Sequence, residues 1–138
     1  MNEKGQALIE SLLIGLVLLV PVLWLVMVLA DVHRAALATN AAVREAGFDA
    51  VRAADVSEAD AAVDRAVATA LSNHGLDPSR AEARWSASPG LERSATVEVV
   101  TIYRVAVLRV PFLGAVSGPS LAVTARHLAR VDPYRSEG

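Results

Sequence analysis

Cysteine is missing from the 138 residues of this chain. Its absence excludes disulfides, cysteine-ligated zinc, iron–sulfur clusters and thiol catalysis. Any folded part must therefore be held together by packing. Lysine is nearly missing too, since one Lys stands against twelve Arg, and the net charge is only −2. That balance does not indicate a nucleic-acid partner.

Charge is missing from residues 11–30, a run of twenty residues without a single Asp, Glu, Lys or Arg. At about 1.5 Å of rise per residue, such a run makes about 30 Å of helix, enough to cross the hydrocarbon core of a bilayer. The run predicts a membrane-spanning helix over residues 6–30. The remaining residues are then expected to lie outside the bilayer.

Catalytic and metal-binding patterns are missing as well. His33, His74 and His127 lie far apart and lack metal-ligand spacing. Ser117, in "GAVSG", does not fit the G-x-S-x-G pattern of a nucleophilic serine. The acids around Asp55 lack the glycine at the sixth position that a calcium loop uses. We therefore expect no enzyme, no metal site and no cofactor.

The apolar run alone fits two ordinary classes of protein. One is a secreted protein with a signal peptide, cut within the run after Ala30 or, at the small residues "ALA", after Ala38. A run of twenty residues is longer than the roughly 7–15 expected of a signal-peptide core. The other class is a single-span membrane protein with an extracytoplasmic binding domain. Neither class explains why an acid, Glu10, directly precedes the run.

The segment "GQALIE", from Gly5 to Glu10, resembles the processing site of the type IV pilin superfamily. In that family a prepilin peptidase cuts after a Gly, and a Glu stands at the fifth position of the mature chain. The resemblance implies a leader over residues 1–5, cleavage after Gly5 and a new N-terminus at Gln6. Lys4 in the leader fits the Flp/Tad branch of the family.

Two further residues take roles from this resemblance. A carboxylate in apolar surroundings is costly unless it is paired. Glu10 is implied to neutralise the α-ammonium of its own or a neighbouring mature N-terminus during assembly, unless it simply reaches the lipid headgroups. Pro21 removes one backbone hydrogen bond and is expected to kink the helix, as a proline in pilin-like helices often does.

Beyond residue 30 the pattern predicts two helices. Small and apolar residues recur at alternating steps of three and four, which marks one face of a helix over residues 31–54. That face consists of Val32, Ala36, Thr39, Val43, Gly47, Val51 and Ala54. A second helix is expected over about residues 58–72, with Ser57 as its N-cap and Gly75 just past its end.

From residue 83 onward the pattern predicts strands. The candidates are "ARWSAS" (83–88), the β-branched run 95–110 and the alternating run 121–131, with a loop over residues 111–120. Three antiparallel strands with helices on one face give an α+β head over residues 55–138, in a pilin-like arrangement.

The C-terminal part carries a second resemblance. The valine-rich strand, "VPFLG" and "LAVTARHLARVDPY" resemble the C-terminal half of TadE-like proteins, the minor pseudopilins of the Tad (tight adherence) pilus apparatus. "GQALIES" matches their N-terminal segment except at Ser11, where an aromatic residue is common. "AAVREAG", over residues 41–47, resembles their segment of small residues and Arg.

Taken together, the resemblances imply a minor pilin or pseudopilin of a Tad-type pilus. The implied partners are other pilin and pseudopilin subunits, the prepilin peptidase and the pilus assembly platform. The N-terminus is expected in the cytoplasm, the span in the cytoplasmic membrane and the head outside it, with incorporation into a surface pilus as a further expectation. The alternative is a membrane-anchored extracytoplasmic binding protein that never enters a filament.

Overall fold

The computed structural model describes residues 3–91, 94–108 and 118–133. The elements follow the order α1 (Glu3–Ala50), α2 (Val56–Asn73), a short 3-10 helix (Pro78–Arg80), β1 (Ala81–Ser88), β2 (Thr96–Ala106) and β3 (Ser120–Arg130). The chain divides into two compact units, the first ending at Asp31 and the second beginning at Val32. The predicted α+β class is confirmed.

Helix α1 ends at Ala50, four residues before the predicted end. The backbone N–H groups of Arg52 and Ala53 donate to the carbonyls of Asp49 and Ala50, three residues back, at 3.1 and 3.3 Å. Such short-range bonds tighten the turn after a helix and satisfy carbonyls that have no partner within it.

Helix α2 begins at Val56 rather than near residue 58, and Asp55 is its N-cap instead of Ser57. The Asp55 carboxylate accepts the backbone N–H of Glu58 at 2.8 Å. Glu58 in turn accepts the backbone N–H of Ala54 at 2.6 Å. This reciprocal pair of bonds resembles a capping box, so these acids have a local structural role.

The far end of α2 closes as the sequence predicts. Gly75 adopts a positive φ of 69°, which a residue with a side chain rarely takes. The N–H groups of Gly75 and Leu76 donate to the carbonyls of Ser72 and Leu71 at 2.9 and 3.0 Å. These two bonds form a Schellman motif.

The short 3-10 helix that follows is capped by Asp77, whose carboxylate accepts the backbone N–H of Ser79 at 3.0 Å. Hydrogen bonds from the side chain and backbone of Ser79 lower the pKa of Asp77. The charged form of this carboxylate therefore favours the turn that leads into β1.

The three strands form one antiparallel sheet in the order β1-β2-β3. Strand β2 pairs with β1 from Ala81 opposite Tyr103 to Ser88 opposite Thr96, and with β3 from Thr96 opposite Arg130 to Ala106 opposite Ser120. The predicted strand 95–110 thus ends at Ala106. The predicted loop 111–120 lies largely outside the described residues.

The core of the second unit lies between one face of the sheet and the two helices. Alternate β2 side chains face it, and they are fully or almost fully buried: Val97, Val99, Thr101, Tyr103 and Val105. Helix α2 contributes alanines with Val63, Val67 and Leu71. The half of α1 after Asp31 contributes mainly alanines and Val43.

The face predicted for residues 31–54 is largely correct but displaced around the helix. Thr39, Val43 and Gly47 are buried as expected, whereas Ala54 is exposed beyond the helix end. The middle of the buried face is a row of alanines that the sequence pattern did not single out: Ala35, Ala38, Ala42, Ala46 and Ala50. Because alanine side chains are short, this face can approach the sheet closely.

Gly47 lies close to β3. A methyl group placed on its Cα would lie 2.9 Å from Cδ2 of His127 and 3.4 Å from Cβ of Ala129, both on β3. We expect Gly47→Ala to lower the free energy of unfolding by about 1–3 kcal/mol, because His127 must move to make room. Denaturant unfolding of the full chain in detergent measures the change.

A double-mutant cycle tests the cause of that loss. In a His127→Ala background the crowded ring is gone, so Gly47→Ala should lose most of its effect. An equal loss in both backgrounds would show that helix–sheet crowding is not responsible.

The hydroxyl of Thr101 is fully buried and has no hydrogen-bond partner within the described residues. A buried polar group without a partner destabilises a fold. We therefore expect Thr101→Val to raise the free energy of unfolding by about 1–2 kcal/mol. Chemical denaturation of the full chain in detergent measures it.

Thr39 provides the matched control for this substitution. It is equally buried, but its hydroxyl donates to the Ala35 carbonyl at 2.7 Å. Thr39→Val should therefore leave stability unchanged or lower it by up to about 1 kcal/mol. The explanation fails if both valine variants shift stability in the same direction.

Candidate membrane and processing segment

The first unit is a helical segment whose apolar side chains are uncovered. Every large apolar side chain from Leu8 to Leu29 except the half-buried Val28 is exposed, from 43% at Trp24 to 69% at Met27. In the described residues this is one helix long and apolar enough to cross a membrane, and a signal sequence near an N-terminus has the same properties. A surface that is apolar all round must be covered by lipid, by other helices or by a translocation machinery.

Gly5 lies within α1 and has no packing role there. Nothing within the described residues lies within 4 Å of the position that a Cβ would occupy, and its φ is not positive. A glycine inside a helix costs about 1 kcal/mol relative to alanine. The fold therefore supplies no reason for glycine at this position. Gly15 is in the same situation.

Glu10 is exposed on α1, and its carboxylate has no ion pair or hydrogen bond among the residues that the structure describes. It stands one helical turn after Gln6, directly before the uncharged run. Two residues four apart on a helix are neighbours on its surface. A positive charge placed at the Gln6 backbone nitrogen would therefore be in the neighbourhood of this carboxylate.

Pro21 lies inside α1, which continues as a helix on both sides of it. Proline has no N–H group, so the carbonyl four residues earlier loses its usual helical partner. The kink expected there stays a prediction.

The other residues considered as sites are scattered over the second unit. His33 lies on α1, His74 caps the C-terminus of α2, and His127 lies on β3 against Gly47. No group of three or more His, Asp or Glu side chains in the described part of the chain could hold a metal ion. Ser117 lies outside that part.

One contact that the sequence analysis missed joins α2 to the sheet. The indole N–H of Trp85 donates to the Asp60 carboxylate at 2.5 Å. The two residues are 25 positions apart, so nothing in the local pattern predicts that they meet.

The open face of the sheet carries charged pairs rather than a site. Arg104 and Arg84 both approach Glu82, at 3.2 and 3.7 Å, and Arg126 contacts Glu98 at 2.6 Å. These side chains are largely exposed, and such pairs contribute little to stability.

Comparisons with known proteins leave the family of this chain open. No protein-family model, curated protein or solved structure matches it.

The two possible signal-peptide cleavage sites differ in whether they leave the second unit intact. Cleavage after Ala30 would leave the second unit whole, because that unit begins at Val32. Cleavage after Ala38 would remove Ala35 and Ala38, which are fully buried in the core.

We therefore expect a chain starting at Val32 to fold without the apolar segment and to unfold cooperatively. A chain starting at Thr39 should lose a large part of the roughly 5–15 kcal/mol that stabilises an ordinary domain. Circular dichroism during thermal unfolding compares the two. Equal stability of the two truncated chains would contradict the place of the alanine row in the core.

Proposed function

We propose that this chain is a minor pilin-like subunit of a Tad-type pilus. It inserts with its N-terminus in the cytoplasm and its second unit outside the membrane. A prepilin peptidase trims it after Gly5, and its helix then packs against those of other pilin and pseudopilin subunits at the assembly platform. The observation that carries the proposal is the segment "GQALIE" directly before an uncovered apolar helix.

The lack of any packing role for Gly5 supports recognition by another protein. A helical glycine with free space around it gains nothing from the fold of its own chain. A peptidase that accepts only a residue without a side chain at the cleaved bond explains why glycine stands there. A plain membrane anchor supplies no such reason.

The isolation of Glu10 supports a role in assembly. An acid at the edge of an apolar helix, without a partner among the described residues, gains most by pairing with a positive charge from elsewhere. Cleavage after Gly5 creates an α-ammonium on Gln6, either on the same chain or on the next subunit. Pairing with such a group fixes the axial register of packed helices, because a mismatched register leaves a charge unpaired.

The direct test is the intact mass of the membrane-extracted chain, with and without a co-expressed prepilin peptidase. The proposal expects a peptidase-dependent loss of residues 1–5. An uncut chain would favour the anchored binding protein instead. A chain that begins near Asp31 or Thr39 would show that the apolar run is a signal peptide.

Matched variants sharpen this test. Gly5→Leu should abolish trimming, whereas Gly15→Leu should be trimmed normally, although both glycines are helical and equally free of neighbours. Glu10→Ala should be trimmed but fail to enter sheared filaments. Glu45→Ala, which removes another exposed acid of the same helix, should enter them. Trimming of Gly5→Leu or normal assembly of Glu10→Ala would contradict the corresponding role.

A further inference from the structure

Strand β3 forms one edge of the sheet, and the register shows which of its backbone groups face outward. The N–H of Val131 donates to the Ala95 carbonyl, and the N–H of Val107 donates to the Pro119 carbonyl. These bonds extend the β2–β3 ladder at both ends in the same register. In an antiparallel ladder the residues that bond to the partner strand alternate with residues that point away from it. Odd-numbered residues of β3 therefore bond to β2.

The even-numbered residues of β3 consequently direct their N–H and C=O groups away from the sheet. In the middle of the strand these are Ala122, Thr124, Arg126 and Leu128. None of these backbone groups has a partner within the described residues. The register runs through all eleven residues of the strand without a bulge, and the strand contains neither proline nor lysine. A bulge, a proline and a lysine, three of the features that protect a free edge, are therefore missing from this strand.

Exposed apolar side chains gather at the same edge. Leu121 and Leu128 of β3 are 47% and 54% exposed. Phe48, at 55%, packs its ring against that of His127 with 5.9 Å between centroids. Leu128 lies on the open face of the sheet, whereas Leu121 and His127 lie on the helix side. An added strand would find apolar surface on both of its faces.

The charged side chains of strand β3 are all positive. Its charged side chains, Arg126 and Arg130, are four residues apart on the same face. Arg126 is paired with Glu98 of β2, whereas Arg130 has no ion pair among the described residues. Two copies of β3 paired with each other would bring only arginines to their common edge, which disfavours a second copy of this strand. Charge complementarity instead favours a strand that carries acids.

We propose that the free edge of β3 binds an extended segment of a partner protein, with apolar residues on the helix side and acidic residues opposite Arg126 and Arg130. Backbone hydrogen bonds to the outward groups provide affinity, and the alternating side chains provide specificity. The proposal does not rest on the proposed pilus function, because all of its residues belong to the second unit and none takes part in processing.

The test uses the full chain in detergent and two nine-residue probe peptides, one alternating Val and Glu and the other alternating Val and Lys. Amide hydrogen exchange reports the geometry. In the free chain, odd-numbered amides of β3 should exchange slowly and even-numbered amides quickly. The Val/Glu peptide should protect the amides of Ala122, Thr124, Arg126 and Leu128. If these four stay unprotected at saturating peptide, the proposal is overturned.

Proline substitutions provide the matched controls. Thr124→Pro removes an outward N–H without removing a bond to β2, so the sheet should stay folded while affinity for the Val/Glu peptide falls at least about fivefold. Ala83→Pro makes the same change at the outward side of β1, because β1 bonds to β2 through its even-numbered residues, and it should leave affinity unchanged. Equal loss in both variants would overturn the assignment to β3.

Charge reversal tests the proposal without altering the backbone. Arg130→Glu should weaken binding of the Val/Glu peptide and strengthen binding of the Val/Lys peptide, each by about two- to fivefold at low salt. Equal binding of both peptides by the unmodified chain would overturn the proposal that the partner segment is acidic. A different result, without peptide, would be that the even-numbered amides become more protected as the protein concentration rises. That result would overturn the acidic partner and show that the edge pairs with a second copy of this chain.

Discussion

The close approach of α1 to the sheet is the constraint on which the second unit depends. The buried face of this helix has only alanines, a glycine, a threonine and one valine, so the helix can pack closely against the sheet. At Gly47 there is no room for a methyl group beside His127. Without disulfides, contact between these surfaces, together with α2, must supply the stability. Larger residues on this face would force the helix away from the sheet.

The same helix meets two different environments along its length. Before Asp31 its surface is apolar all round and uncovered by the described residues, whereas after Val32 it is apolar on one face that the sheet and α2 cover. An all-round apolar surface requires an apolar environment, and a one-sided one requires a folded partner. One uninterrupted helix therefore carries both a segment suited to a membrane and the central support of a folded unit.

Much of this fold could be predicted from local pattern. The uncharged run, the alternation of Val97, Val99 and Tyr103, and the turn at Gly75 each follow from neighbouring residues. Element ends were less predictable, because Asp55 and Ser57 are both good caps and only the bonds with Glu58 decide between them. The Trp85–Asp60 bond and the closeness of Gly47 to His127 depend on tertiary packing, which a single sequence does not encode locally.

In the candidate processing segment, the residues that the sequence singles out have no contacts in the described structure that would explain them. Gly5 and Glu10 stand out in the sequence because of what surrounds them, whereas the fold gives neither a partner among its described residues. Residues that serve packing, such as Gly47, are explained by their contacts. A glycine weakens its helix, and an acid beside an apolar surface is costly. Neither residue gains a compensating contact among the described residues. The proposed peptidase and a neighbouring helix would account for the two residues together.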